Sequence, residues 1–154
     1  MAPHGPLFRE LERDGGRCPV PAGNSAGAVG TIPAVVTVRR AAPILPVRDV
    51  DAALAFYDRL GFTTLAYEGG GYGFATRDRA EIHLGAAPGG EGPADQHSAY
   101  LFVDDADALA REWQAAGVEV VPPERTPWGM HEGRVVDPDG NVLRFGSPLR
   151  RRRI

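Results

Sequence analysis

The sequence predicts an α+β fold made of two copies of one βαβββ module, and three observations carry that prediction. Residues 47–62 align with residues 103–118 at a single offset of 56 without gaps, and Val47/Val103, Asp49/Asp105, Asp51/Asp107, Ala52/Ala108 and Gly61/Gly117 are identical. A second register, offset 61, sets Asp78 over Asp139 and Gly85 over Gly146, so the closing strands of the two copies also correspond. The 20 Gly and 14 Pro among 154 residues demand many turns and short elements rather than a helical bundle.

In chain order, residues 41–47 alternate with period two and read as the entry strand of the first copy. A helix follows, because apolar Val50, Ala53, Leu54, Tyr57 and Leu60 recur with helical spacing. Asp49 suits its N-cap, where a carboxylate accepts orphan backbone N–H groups, and Gly61 suits its stop. Strands at 62–67, 72–77 and 81–85 complete the module. The glycines between Glu68 and Tyr72 join two strands, which makes them a hairpin loop and not a phosphate loop. Residues 86–96 (AAPGGEGPADQ) link the copies. The second copy repeats the pattern: a strand at 98–103, then a helix striped by Ala106, Leu109, Ala110, Trp113 and Ala116 between Asp105 and Gly117, then strands at 118–121, 130–136 and 142–145. Tyr57 and Trp113 hold equivalent stripe positions and are assigned to the core. The modules thus run over about 41–85 and 98–146 within a domain of residues 41–148.

Residues 1–40 alternate Gly and Pro with charges and lack the basic stretch and apolar core of a secretory signal, so they read as a linker-like extension. Residues 149–154 form an Arg-rich tail. Cys18 is the sole cysteine, which excludes an intramolecular disulfide and fits a reducing cytoplasm. No run approaches the roughly 20 apolar residues of a membrane-spanning helix, so a soluble cytoplasmic protein is expected. All 17 basic residues are Arg, and the formal charge of −3 conceals an uneven distribution. Residues 41–148 carry −9, whereas residues 1–40 carry +2 and residues 149–154 carry +4. Such a body repels nucleic acid and attracts cations, and the terminal arginines read as a solvated tail.

No nucleophile arrangement emerges, since Cys18 lies in the extension and strand alternation turns His97 away from Ser98. Alternation instead places Ser98, Tyr100 and Phe102 with Ala42, Ile44 and Pro46 on the faces away from the helices, and Leu101, Val103, Leu45 and Val47 toward the helices. Tyr72 and Phe74 share a face of their strand, and Trp128 sits in a Pro-Trp-Gly turn. These five aromatics outline a stacking surface for a flat ligand.

The segments PILPVRDVDAALAFYDRLGF, HSAYLFVDDADAL and TPWGMHEGRVVDPDGNVLRFGSPL, in this order over residues 41–148, resemble the vicinal oxygen chelate superfamily and, within it, the glyoxalase/bleomycin resistance branch. The resemblance implies paired modules forming open sheets around a cavity, in a homodimer that shares its cavities between chains. It implies four metal positions, which the repeat locates at Ala42, Ser98, His83 and Arg144. Only His83 of these could ligate, because a methyl, a weak hydroxyl and a guanidinium do not hold a divalent ion, so no metal or other cofactor is expected. An alternate set of His83, His131 and Glu132 is the remaining route to a metal.

In antibiotic-binding members, positions matching Tyr72, Tyr100 and Trp128 line the drug groove. The implied ligand-binding set is Tyr72, Phe74, His83, Tyr100, Phe102, Trp128, Glu132 and Arg144, with no catalytic residue. His83 would hydrogen-bond or stack on a ligand, and Arg144 would pair with Glu81, Glu132 or a ligand anion. Gly133 stands where relatives carry an aromatic, which would leave that wall open. The expected function is sequestration of a small aromatic, cationic ligand of the bleomycin type. Two other readings stay open: a metal-dependent enzyme of the superfamily (glyoxalase, dioxygenase or thiol transferase) with an atypical site, and a non-catalytic interaction module.

Overall fold

The computed structural model describes residues 36–87 and 97–149. The readings of residues 1–35 as an extension, of 88–96 as a linker and of 150–154 as a tail fall outside those residues. Ten elements lie in the compact unit that begins at Val38. They run β1 (Ile44–Val47), α1 (Val50–Arg59), β2 (Thr63–Ala66), β3 (Tyr72–Arg77), β4 (Ala80–Ala86), β5 (Ser98–Phe102), α2 (Ala106–Ala115), β6 (Val120–Arg125), β7 (Met130–Val136) and β8 (Val142–Pro148). This is the expected βαβββ order twice over. No helix among the described residues is long and apolar enough to cross a membrane.

Each module makes its own four-stranded sheet, with orders β1-β4-β3-β2 and β5-β8-β7-β6. In each, the entry strand lies parallel to the last strand and the remaining pairs are antiparallel. A parallel partner cannot follow through a tight turn, so the helix supplies the crossover, and it packs on one face of its sheet. α1 lies across β2, β3 and β4, and α2 across β6, β7 and β8.

The helices start and stop where their sequences direct. Asp49 accepts from Ala52 N at 3.0 Å and Asp105 from Ala108 N at 2.9 Å, each from an extended N-cap. Gly61 and Gly117 take φ of +80° and +77°, a left-handed geometry that glycine adopts without a Cβ penalty. The apolar stripes turn inward: Tyr57, Leu60 and Trp113 are fully buried, in one core that also contains Leu45, Leu84, Phe145 and Leu143.

Several boundaries differ from the period-two reading for local reasons. β1 begins at Ile44 rather than at residue 41; Pro43 precedes it without an amide hydrogen, although its carbonyl still accepts from His83 N at 2.9 Å. β6 does not stop at Val121 but continues to Arg125, with a register shift between Val121 and Glu124 that accommodates Pro122 and Pro123. β6 is an edge strand, the place where prolines and irregular pairing are tolerated. Beyond the sequence reading, a knot of polar groups ties the modules together. Asp137 in the β7–β8 turn accepts from Asn141 N, Asp139 N, Asn141 Nδ2 and the Tyr57 hydroxyl; Asn141 Nδ2 also reaches Pro46 O, and Arg48 binds Asp139 at 2.9 Å.

Candidate functional site

Each sheet buries one face under its helix and leaves the other open, and alternation decides which side chains each face receives. Leu45 and Val47 are buried while Ile44 is exposed, and Leu101 and Val103 pack against the core while Phe102 is 82 % exposed. The open faces therefore carry the residues the sequence assigned to them. On the first sheet the register sets Ile44, His83, Phe74 and Leu65 in one cross-strand row, with Pro46, Gly85 and Tyr72 in the next. On the second it sets Tyr100, Arg144, Arg134 and Val121 in one row, with Phe102, Gly146, Glu132 and Glu124 in the next.

The first cluster is a chain of hydrogen bonds around an imidazole. The Tyr72 hydroxyl lies 2.8 Å from His83 Nδ1, and His83 Nε2 lies 2.7 Å from Glu81 Oε1. Arg40 closes the chain on the other oxygen of Glu81. Phe74 sits edge-on to both rings, with centroids 5.4 Å from Tyr72 and 4.9 Å from His83. Burial and then the charge on Glu81 raise the pKa of the Tyr72 phenol above its usual range.

The second cluster is built on one carboxylate. Glu132 Oε1 accepts from the Tyr100 hydroxyl at 2.9 Å and from Trp128 Nε1 at 2.7 Å, which leaves Oε2 without a partner among the described residues. Tyr100 also stacks obliquely on Phe102 at 4.7 Å. Trp128 stands 69 % exposed in the turn between β6 and β7, where Gly129 at φ +84° and the mutual bonds of Thr126 and Met130 fix the loop. Burial, the hydrogen bond to Glu132 and its negative charge push the Tyr100 phenol up to about 12. A phenol so held stays a donor at every physiological pH.

The five aromatics do not form one surface within the chain. Tyr72, Phe74 and His83 belong to the first sheet, Tyr100, Phe102, Trp128 and Glu132 to the second, and no ring contact or hydrogen bond joins the two groups among the described residues. Arg144 lies on the second open face and pairs neither with Glu81, which is on the other sheet and holds His83 and Arg40, nor with Glu132, which turns to Tyr100 and Trp128. Gly133 is no gap in the wall. It follows Glu132 on β7 and so faces inward, where an added Cβ would meet Phe145 Cζ at 2.6 Å and Val121 O at 2.8 Å. A cavity of roughly 300 Å³ lined by Asp104, Asp107, Arg125 and His131 lies beside the N-terminus of α2, not on either aromatic face.

The four positions at which the resemblance places metal ligands do not fit a divalent ion. Ala42 has no donor, both ring nitrogens of His83 are engaged, Ser98 offers one hydroxyl and Arg144 brings a like charge. The alternate set does not converge either: His131 points inward to Asp107 at 3.1 Å, Glu132 points outward to Tyr100, and His83 is on the other sheet. Among the described residues no three His, Cys, Asp or Glu side chains gather closely enough for a metal.

Two features escaped the sequence reading. Gly146 lies beneath the Tyr100 hydroxyl, and a Cβ there would collide with that oxygen and approach Glu132 Cγ to 3.0 Å, so the glycine admits the cross-strand bond. Its alignment with Gly85 was the available signal. Arg134 shares the open face with Glu132, two residues earlier on the same strand, so strand alternation alone could have found it.

Residues 35–145 match the family described as the Glyoxalase/Bleomycin resistance protein/Dioxygenase superfamily. The chain is 33 % identical over 114 residues to a bleomycin resistance protein of Klebsiella pneumoniae, covering 69 % of this chain and 90 % of that one. The fold superimposes on the crystal structure of a bleomycin resistance determinant encoded on the transposon Tn5 with a TM-score of 0.66 at 31 % identity, covering 72 % of this chain and 98 % of that one. A bleomycin-binding protein complexed with bleomycin gives a TM-score of 0.65 at 31 % identity, covering 71 % of this chain and 98 % of that one.

Proposed function

The chain belongs to the Glyoxalase/Bleomycin resistance protein/Dioxygenase superfamily, and from that premise we propose that it binds and sequesters an antibiotic of the bleomycin type without chemical conversion and without a protein-held metal. The observation that carries this reading is the Glu132 carboxylate, which holds Tyr100 and Trp128 beside the exposed ring of Phe102 while keeping one oxygen free. Exposed flat rings offer stacking faces to a heteroaromatic ligand, and the free carboxylate oxygen offers a charge-assisted bond to a cation. The relatives named for bleomycin resistance and bleomycin binding support the ligand class. The donor chemistry at positions 42, 83, 98 and 144 supports holding the ligand without a metal.

Each aromatic cluster is a wall, not a pocket, and a homodimer would supply the facing wall. The open faces expose Ile44, Leu65, Phe102, Val121 and Val136, an apolar exposure that a second copy would cover. The experiment is a titration of bleomycin followed by tryptophan fluorescence. Of the two tryptophans, Trp113 is fully buried and Trp128 exposed, so ligand contact reports through Trp128. Saturable quenching that Trp128→Phe abolishes is the expected result; an unchanged spectrum at all concentrations would refute the reading. Stoichiometric metal in plasma-emission analysis of the purified protein would restore the metal-dependent alternative.

A further inference from the structure

The repeat supplies an internal standard for the open faces. In the first module the row beside the entry strand reads Ile44, His83, Phe74 and Leu65, an imidazole against a phenyl ring at 4.9 Å. The same row in the second module reads Tyr100, Arg144, Arg134 and Val121. Two guanidiniums replace the imidazole and the phenyl ring. They are direct cross-strand neighbours on adjacent antiparallel strands, and both residues are exposed.

Like charges placed directly opposite each other on a sheet repel, and the usual remedy is a carboxylate within reach. The carboxylates of the next row are Glu132 and Glu124, also direct neighbours of each other. Glu132 is drawn away by two aromatic donors, and neither Arg134 nor Arg144 makes an ion pair or hydrogen bond to any described residue. Arg48 binds Asp139, Arg77 binds Glu112 and Arg59 lies over the Phe56 ring, whereas Arg79, Arg111 and Arg125 also lack an ion pair among the described residues; Arg134 and Arg144 differ from these in being direct cross-strand neighbours. In a body of charge −9, an unneutralised arginine pair is a local reversal of sign.

We infer that Arg134 and Arg144 form an oxyanion receptor, which takes a carboxylate or phosphate group of a ligand whose flat part lies on Tyr100 and Phe102. Two planar guanidiniums on neighbouring strands can each donate paired N–H groups to one oxyanion, and binding the anion relieves their mutual repulsion. The free Glu132 oxygen one row away stays available to a cation beside the bound oxyanion. The inference rests on reading this face as a ligand wall, and it adds a charge requirement that stacking alone does not impose.

The test uses the full chain and inorganic phosphate as probe, followed by NMR of the arginine Nε–H resonances at constant ionic strength. The two resonances are assigned with Arg134→Gln and Arg144→Gln. The expected result is a saturable shift of both resonances and a loss of about tenfold or more in phosphate affinity in either variant, the size of one charge-assisted bond. Shifts that do not saturate, or that match those produced by chloride, overturn the inference. Resonances that move with protein concentration as the mass doubles, and ignore phosphate, also overturn it, because acidic groups of a second copy would then occupy the pair. A parallel bleomycin titration separates the two readings. Quenching without phosphate binding refutes the oxyanion receptor alone, whereas phosphate binding without quenching refutes the antibiotic assignment alone.

Discussion

At the scale of single residues, Glu132 organises the second wall because one oxygen satisfies two aromatic donors. Glu132→Gln preserves the shape but removes the charge, and the affinity for a cationic aromatic ligand is expected to fall about tenfold by fluorescence titration. The same substitution bears on Tyr100. Its phenol is pushed up to about 12 by burial first and by the hydrogen bond and charge of Glu132 next. A phenol whose folded pKa is raised favours the folded state at pH below its unfolded value, and that contribution is lost as pH rises through about 12. Tyrosinate absorbance in alkaline titration should therefore show several late-ionising tyrosines in the native chain, Tyr57 and Tyr72 among them, with the step near 12 lost in Tyr100→Phe and moved toward the ordinary range in Glu132→Gln. Gly146→Ala should disturb the same bond sterically, since its Cβ would occupy the place of the Tyr100 hydroxyl. Its expected signature is a weaker ligand response with little change in thermal midpoint, because the tyrosine ring can swing outward from an exposed face.

At the scale of elements, the two helices offer paired measurements. Asp49 and Asp105 cap α1 and α2 through equivalent bonds of 3.0 and 2.9 Å. Replacing either by Ala should cost about 1 kcal/mol in urea unfolding, and similar values at both sites would show that the repeat is energetic as well as geometric. These helices were legible in the sequence because cap, stripe and stop agree within one short segment, residues 49–61 and 105–117. The edge strand β6 was not: two prolines argue locally against a strand, and only pairing with β7 on one side, with the other side unpaired, lets it continue. The open and buried faces of β5 and β8 were legible from alternation, yet Gly133 was misplaced by analogy with relatives although the same alternation turns it inward to Phe145.

At the scale of the whole molecule, the modules are held together by the Asp137 knot as well as by the shared core. Burial raises the Asp137 carboxyl pKa above the usual range, although hydrogen bonds from Asn141 and Asp139 N oppose the shift. A carboxyl raised in the folded state contributes most below its unfolded value, and its contribution falls as pH rises through the folded one. Wild-type stability should therefore decline as pH rises from the unfolded to the raised folded value, by an amount that Asp137→Asn removes from the pH profile. Asp137→Ala strands the buried Tyr57 hydroxyl and the Asn141 backbone N–H, with an expected loss of about 2–3 kcal/mol in urea unfolding. On the same scale, the proposed dimer predicts a sedimentation mass about twice the 16.4 kDa of the chain.

The amino-acid sequence by itself determined the two βαβββ modules, the start and stop of both helices, and which side chains face away from them. Each of these follows from spacing within one segment, where backbone geometry alone imposes periods of 3.6 and 2.0. The tertiary structure decided the rest. Glu132 had to meet Tyr100, 32 residues away, before either could be given a partner, and Glu81 had to meet Arg40 across 41 residues. Arg144 came to lie opposite Arg134 through the antiparallel register of β7 and β8. The five aromatics, four placed by alternation and Trp128 by its turn, were divided between the two modules because each module closes its own set of hydrogen bonds. Which groups share a row, and which charges are left without partners, depends on strand register between distant segments.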